Sequence, residues 1–62
     1  MGCMVYVDGK PIGARDSLEE SKQLAEEHKT NRLPLSIESM VAPAPSRTWN
    51  YDYDIGQWVE QL

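Results

Sequence analysis

The sequence has no phenylalanine, one cysteine, one histidine and only six basic side chains among its 62 residues. A lone cysteine excludes a disulfide scaffold. With a single histidine beside it, no set of zinc ligands can be assembled from these two residue types. The bases are Lys10, Arg15, Lys22, Lys29, Arg32 and Arg47; they are scattered, and ten acids bring the net charge to -4. Phosphate recognition needs clustered Lys and Arg, so neither a nucleic-acid partner nor an anionic membrane surface is expected. The apolar stretch Met4–Val7 is far shorter than a signal-peptide core or a membrane span. The start lacks the Ser or Thr preferred for myristoylation, and no lipoprotein signal precedes Cys3. A soluble cytoplasmic protein is the default expectation, and the lone cysteine suits a reducing compartment.

Length sets the next bound. A chain of this size is one small domain, residues 1–62, and too short for a typical cofactor-binding α/β fold. No cofactor is expected. Below roughly 70–80 residues a single core seldom supplies more than about 3–5 kcal/mol. Self-association, for example as a homodimer, is therefore an expected supplement, since a second copy can cover surface that one copy leaves wet.

What the chain does contain is local punctuation. Val5-Tyr6-Val7 followed by Asp8-Gly9 predicts a β-hairpin over 3–15, because a type I′ turn needs positive φ at both central residues. In that register Val7 faces Lys10 and Val5 faces Ile12. Cys3, Val5, Val7, Ile12 and Ala14 then share one face; Met4, Tyr6, Pro11 and Gly13 share the other. Pro11 lacks an amide hydrogen and places its strand at a sheet edge.

Ser17 and Glu20 form a capping box that opens a helix over 17–30. Leu18, Ser21, Leu24, Ala25 and His28 fall on one face, and Glu19, Lys22, Glu26 and Lys29 on the opposite one. The small residues at 21 and 25 let such a helix sit close to a sheet. Asn31 is expected to take the left-handed position that ends it, and Pro34 prevents its return. Leu33 to Val41 alternates apolar and polar residues as a strand does. Ala42-Pro43-Ala44-Pro45-Ser46 then forms a short extended connector.

Thr48 to Asp54 alternates almost without fault, with Trp49, Tyr51 and Tyr53 on one side. The remaining residues admit two readings. In the favoured one, Tyr53-Asp54-Ile55-Gly56 is a loop with Gly56 left-handed, the chain returns as a strand, and Trp58 pairs with Tyr51. In the other, Asp54 and Gln57 cap a terminal helix lined by Ile55, Trp58, Val59 and Leu62; Gly56 so near its start costs about 1 kcal/mol. The fold class expected is α+β: an antiparallel sheet of four to five strands with one helix on one face, in the order β-β-α-β-β with a fifth C-terminal strand.

No catalytic constellation is visible. His28 suits the negative end of the helix better than a role as base or metal ligand. Cys3 shares the apolar face with Val5, and a nucleophilic role would need a base held beside it, for which only His28 is available. Asp52, Asp54 and Glu60 read as acids on a solvated strand face, and no glycine-rich phosphate cradle exists. The best functional lead is the ring inventory: Tyr6, Trp49, Tyr51, Tyr53 and Trp58. Part of this set is needed for the core. One helix covers only one sheet face, so rings on the other would form an aromatic patch for a partner or for self-association.

The stretch Asp16–Glu27 is similar in rhythm to the helix of HicB-type antitoxins, a family that folds as a partial RNase H-like β-α module. The family's downstream DNA-binding segment has no counterpart here, and no functional residues carry over. The leading expectation is a non-catalytic interaction module that binds a protein partner or itself through an aromatic sheet face or an open strand edge. The alternative is an acidic regulatory or antitoxin-like subunit that captures a basic protein through residues 33–62, where Glu38, Asp52, Asp54 and Glu60 face a single base, Arg47. A single-stranded nucleic-acid binder would have the rings but not the charge. An enzyme is the least expected class.

Overall fold

A computed structural model of the protein describes residues 2–40 and 47–61. The expected connector Ala42–Ser46 and the expected strand end at Val41 lie outside these residues. The chain folds as α+β; among the described residues there are five antiparallel strands in one sheet and a single α-helix.

Strand β1 (Gly2–Val7) and strand β2 (Lys10–Arg15) form the first hairpin. Asp8 and Gly9 lie at φ +55° and +78°, the pair of positive values a type I′ turn demands. Val7 faces Lys10 as the turn chemistry predicts. The register then shifts: Tyr6 faces Pro11, but Val5 faces Gly13 rather than Ile12. Ile12 is the extra residue of a β-bulge and is 37% exposed. The expected shared face of Val5, Ile12 and Ala14 is therefore wrong; Gly13 takes the place beside Val5, and Ala14 sits opposite Met4 on the other side. The reason lies in the helix above. A Cβ on residue 13 would stand 3.2 Å from Leu24 Cδ2, so only glycine lets Leu24 close over β2 without displacement.

Helix α1 (Leu18–Glu26) starts as its sequence dictates. Ser17 is the N-cap, and its Oγ accepts the Glu20 backbone N–H at 3.2 Å. Ser21 and Ala25 are fully buried against the sheet, and Ser21 Oγ donates to the Ser17 carbonyl at 2.8 Å. The helix is shorter than its periodicity predicts. Glu27 is the C-cap, a 3₁₀ turn follows at Lys29–Asn31, and Arg32, not Asn31, takes the left-handed conformation at φ +53°. Tertiary contacts fix this exit. The Arg32 guanidinium lies 5.1 Å from the centre of the Tyr53 ring, and the adjacent Leu33 carbonyl accepts the Tyr53 hydroxyl at 2.6 Å.

Strand β3 (Leu35–Met40) pairs with β1 on one side and with β4 (Arg47–Asp52) on the other; β5 (Gln57–Gln61) closes the sheet in the order β2-β1-β3-β4-β5. The tail forms the hairpin rather than the helix. Tyr51 faces Trp58 as the strand reading requires. Gly56 adopts φ +66° and donates its N–H to the Asp52 carbonyl at 2.8 Å, while Asp52 Oδ1 accepts the Asp54 N–H at 2.9 Å. Gly56→Ala should lower stability by about 1 kcal/mol, read as a fall in the thermal midpoint of about 4–8 °C.

The helix links β2 to β3, which lie on either side of β1, so it must cross over β1. The core sits beneath that crossing. Val5 and Ile37 are completely buried, with Leu35, Val7, Cys3 and Ala25 around them. Because α1 packs on β1, β3 and β2, it stops short of β4 and β5 on the same face.

Candidate functional site

The part of this face that the helix does not reach is filled by rings. Trp49 stands opposite buried Ile37, so it shares the helix-bearing side of the sheet; Tyr51 is two residues on, and Trp58 faces Tyr51. All three, with Tyr53, pack half-buried against the core. Tyr51 meets Tyr53 edge-on at 4.9 Å between centroids and meets Trp58 edge-on at 5.3 Å. Such contacts contribute about 0.5–1.5 kcal/mol beyond area burial.

This placement puts Trp49, Tyr51 and Trp58 on the helix-bearing side of the sheet and not on the face opposite the helix. Four of the five rings lie beside α1 and widen its layer. Tyr6 is on the opposite face, between Pro11 of β2 and Ser36 of β3. That opposite face has no helix over it among the described residues and carries Met4, Tyr6, Ser36, Glu38, Thr48, Asn50 and Val59 in its rows.

Charged side chains frame the ring row. Glu26, at the end of α1, accepts the Trp58 indole N–H at 3.2 Å and pairs with Lys29 at 3.5 Å; Lys29 Nζ stands 5.4 Å from the Tyr51 centroid. Glu26, Lys29, Thr30, Arg32, Tyr51 and Tyr53 line an open depression of about 430 Å³. At the other end Arg47 lies over Trp49 at 5.0 Å and forks onto Glu60 at 2.7 and 2.8 Å. Glu26, Lys29, Arg32 and Arg47 were not among the sequence candidates. One of these contacts was open to sequence reasoning: once Tyr51 faces Trp58, Arg47 and Glu60 become diagonal neighbours on one face.

The hydrogen bonds to Arg47 hold the Glu60 carboxyl below the usual carboxylate range. A depressed folded-state value means that the pair stabilises the fold above the unfolded-state pKa and ceases to as pH falls through the folded one. The contribution of this pair should therefore be fully present above about pH 5 and fade below about pH 4, where Glu carboxyls protonate. The Glu60→Gln variant should lack its share of that decline in urea titrations across this range.

The two sheet edges differ. The β2 edge carries Pro11 and the bulge at Ile12, both devices that discourage further pairing. The β5 edge, Gln57-Trp58-Val59-Glu60-Gln61, has no proline, no lysine and no bulge. Its hydrogen-bonding phase follows from a single bond. Asp8 N–H donates to the Pro34 carbonyl at 2.8 Å, which flanks the Val7–Leu35 pair and makes that pair the non-hydrogen-bonded kind. Alternation across the sheet then makes Tyr6–Ser36, Ile37–Trp49 and Asn50–Val59 the hydrogen-bonded pairs. Val59 thus spends its backbone groups on β4, whereas Trp58 and Glu60 turn theirs outward. Val59 itself is 45% exposed on the open face.

Cys3 is buried, and His28 is half-buried just beyond the helix. Among the described residues no three His, Cys, Asp or Glu side chains converge as metal ligands, and no helix is long and apolar enough to cross a membrane. Compared with protein-family models, with curated proteins and with solved structures, the chain matches none.

Proposed function

We propose that the protein is a non-catalytic interaction module that accepts a partner's strand along the open edge of β5. The observation that carries this reading is the asymmetry of the two edges: β2 is blunted, and β5 offers the unpaired N–H and C=O groups of Trp58 and Glu60. Strand addition draws affinity from such main-chain bonds and specificity from alternate side chains. Here the alternate side chains would lie against Trp58 and the ring row on one face and against Val59 on the other.

Capture of a basic protein by the acidic half is the weaker reading. Glu60 is matched by Arg47, so one of the four acids of residues 33–62 is already paired within the chain.

A photo-crosslinking residue at exposed Gln57 tests the edge. It should give a covalent protein adduct in the cells that make the chain. The same probe at Gln23, on the exposed side of α1, should not, and Glu60→Pro, which removes an outward N–H, should abolish the Gln57 adduct. Equal adducts from both probes, or none from either, would remove the basis of the reading.

A further inference from the structure

We infer that the strand received at β5 is the β5 of a second copy of this chain, paired antiparallel about a two-fold axis through Val59. The inference rests on the edge reading above and names its occupant. Three observations select it. First, the outward backbone groups belong to residues 58 and 60, and a register centred on Val59 sets Trp58 opposite the partner copy's Glu60 and the reverse. Each becomes a hydrogen-bonded pair, so all four outward N–H groups and all four outward carbonyls in the two copies are satisfied. The neighbouring symmetric registers do worse. Centring on Trp58 leaves Glu60 opposite the turn residue Gly56, and centring on Glu60 sets two carboxylates face to face.

Second, the side chains of the segment are compatible with their own two-fold image. Gln57 meets Gln61, Trp58 meets Glu60, and Val59 meets Val59, so no like charges stand opposite one another. Third, the edge has been stripped of net charge although the chain is at -4: its one ionised group, Glu60, is already held by Arg47 of the same copy at 2.7 and 2.8 Å. A two-fold perpendicular to the sheet keeps both helices on one face and joins the two five-stranded sheets into one of ten strands. The exposed Val59 side chains cover each other on the open face. The remaining net charge acts at longer range, so association should tighten as salt rises from about 10 to about 150 mM and the repulsion is screened.

The register makes the test specific. Val59–Val59 is a non-hydrogen-bonded pair at the axis, with Cα atoms about 4.5 Å apart, inside the range a disulfide can span. Gln57 and its own symmetry mate would be four residues apart along the strands, about 13 Å, which a disulfide cannot span. Under mild oxidation Val59→Cys should therefore form a covalent dimer. Gln57→Cys alone and Gln61→Cys alone should not, whereas a mixture of the two should yield the mixed dimer. Buried Cys3 is common to all of them, and the parent chain serves as its control. In sedimentation equilibrium the parent mass should double with concentration. Glu60→Pro should weaken association at least tenfold, and Glu60→Gln, which keeps the backbone donor, much less.

Failure of Val59→Cys to crosslink, or crosslinking of Gln57→Cys alone to the same extent, overturns the inference. A monomeric parent whose Gln57 photoprobe captures a different protein refutes the second copy and leaves the edge reading standing. Failure of both experiments refutes both.

Discussion

Ile37→Ala is expected to leave the protein without a cooperative unfolding transition at 25 °C. Ile37 is 0% exposed in the central strand, flanked by Val5 on β1 and Trp49 on β4, and it lies under the helix crossing. Truncating a buried isoleucine to alanine costs about 2–5 kcal/mol, through lost transfer energy and the cavity left behind. A core in a chain this short seldom supplies more than about 3–5 kcal/mol in total. The loss therefore consumes most or all of the fold's margin. Far-UV circular dichroism in urea should show a sloping, non-cooperative curve. The milder Ile37→Val should keep the transition and cost about 0.5–1.5 kcal/mol. A transition for Ile37→Ala within about 5 °C of the parent midpoint would show that the core does not centre on this residue.

Ala25→Leu should be nearly as damaging, for the opposite reason. Ala25 is fully buried on the face of α1 that rests on the sheet, and Ser21, one turn earlier, is fully buried as well. These two small side chains set how closely the helix can approach β1 and β3. Three added carbons have no space there and must lift the helix, at about 1–3 kcal/mol or more. The near-ultraviolet signal of Trp58 should change at the same time, because its indole is bonded to Glu26 on that helix. Gln23→Leu, on the exposed side, should shift stability by no more than about 0.5 kcal/mol. Equal stability of Ala25→Leu and the parent would mean that the helix is not seated on its small-residue face.

The legible parts of this fold are those whose cause is local. Asp8-Gly9 specifies a type I′ turn because few other dipeptides tolerate two positive φ angles. Ser17 specifies a helix start because it satisfies the orphan Glu20 amide. Gly56 in a four-residue loop, followed by Trp58 at the right distance to meet Tyr51, settles strand over helix for the tail. The misjudged parts depend on groups far away in sequence. The bulge at Ile12 exists where Leu24 comes down on Gly13. The helix ends at Glu26 although its periodicity continues, where Tyr53 claims Arg32 and the Leu33 carbonyl.

The candidate site divides in the same way. The ring set and an edge strand with Pro11 could be read directly from residue types. Which side the rings occupy could not: alternation tells that Trp49 and Tyr51 share a face but is silent on which face the helix covers. That choice was made by pairing Trp49 with Ile37 across β3 and β4. The identity of the open edge likewise required the strand order, which put β5 outermost.

The amino-acid order alone fixed the turns, the helix start and the alternating strands, because each is decided by steric and hydrogen-bonding preferences within a few residues. Strand order, the helix-covered face, the bulge and the outward turn of the Trp58 and Glu60 backbone groups were decided only by the assembled sheet. Those features are set by non-local pairing, in which the same two-residue period fits either face until a neighbouring strand selects one.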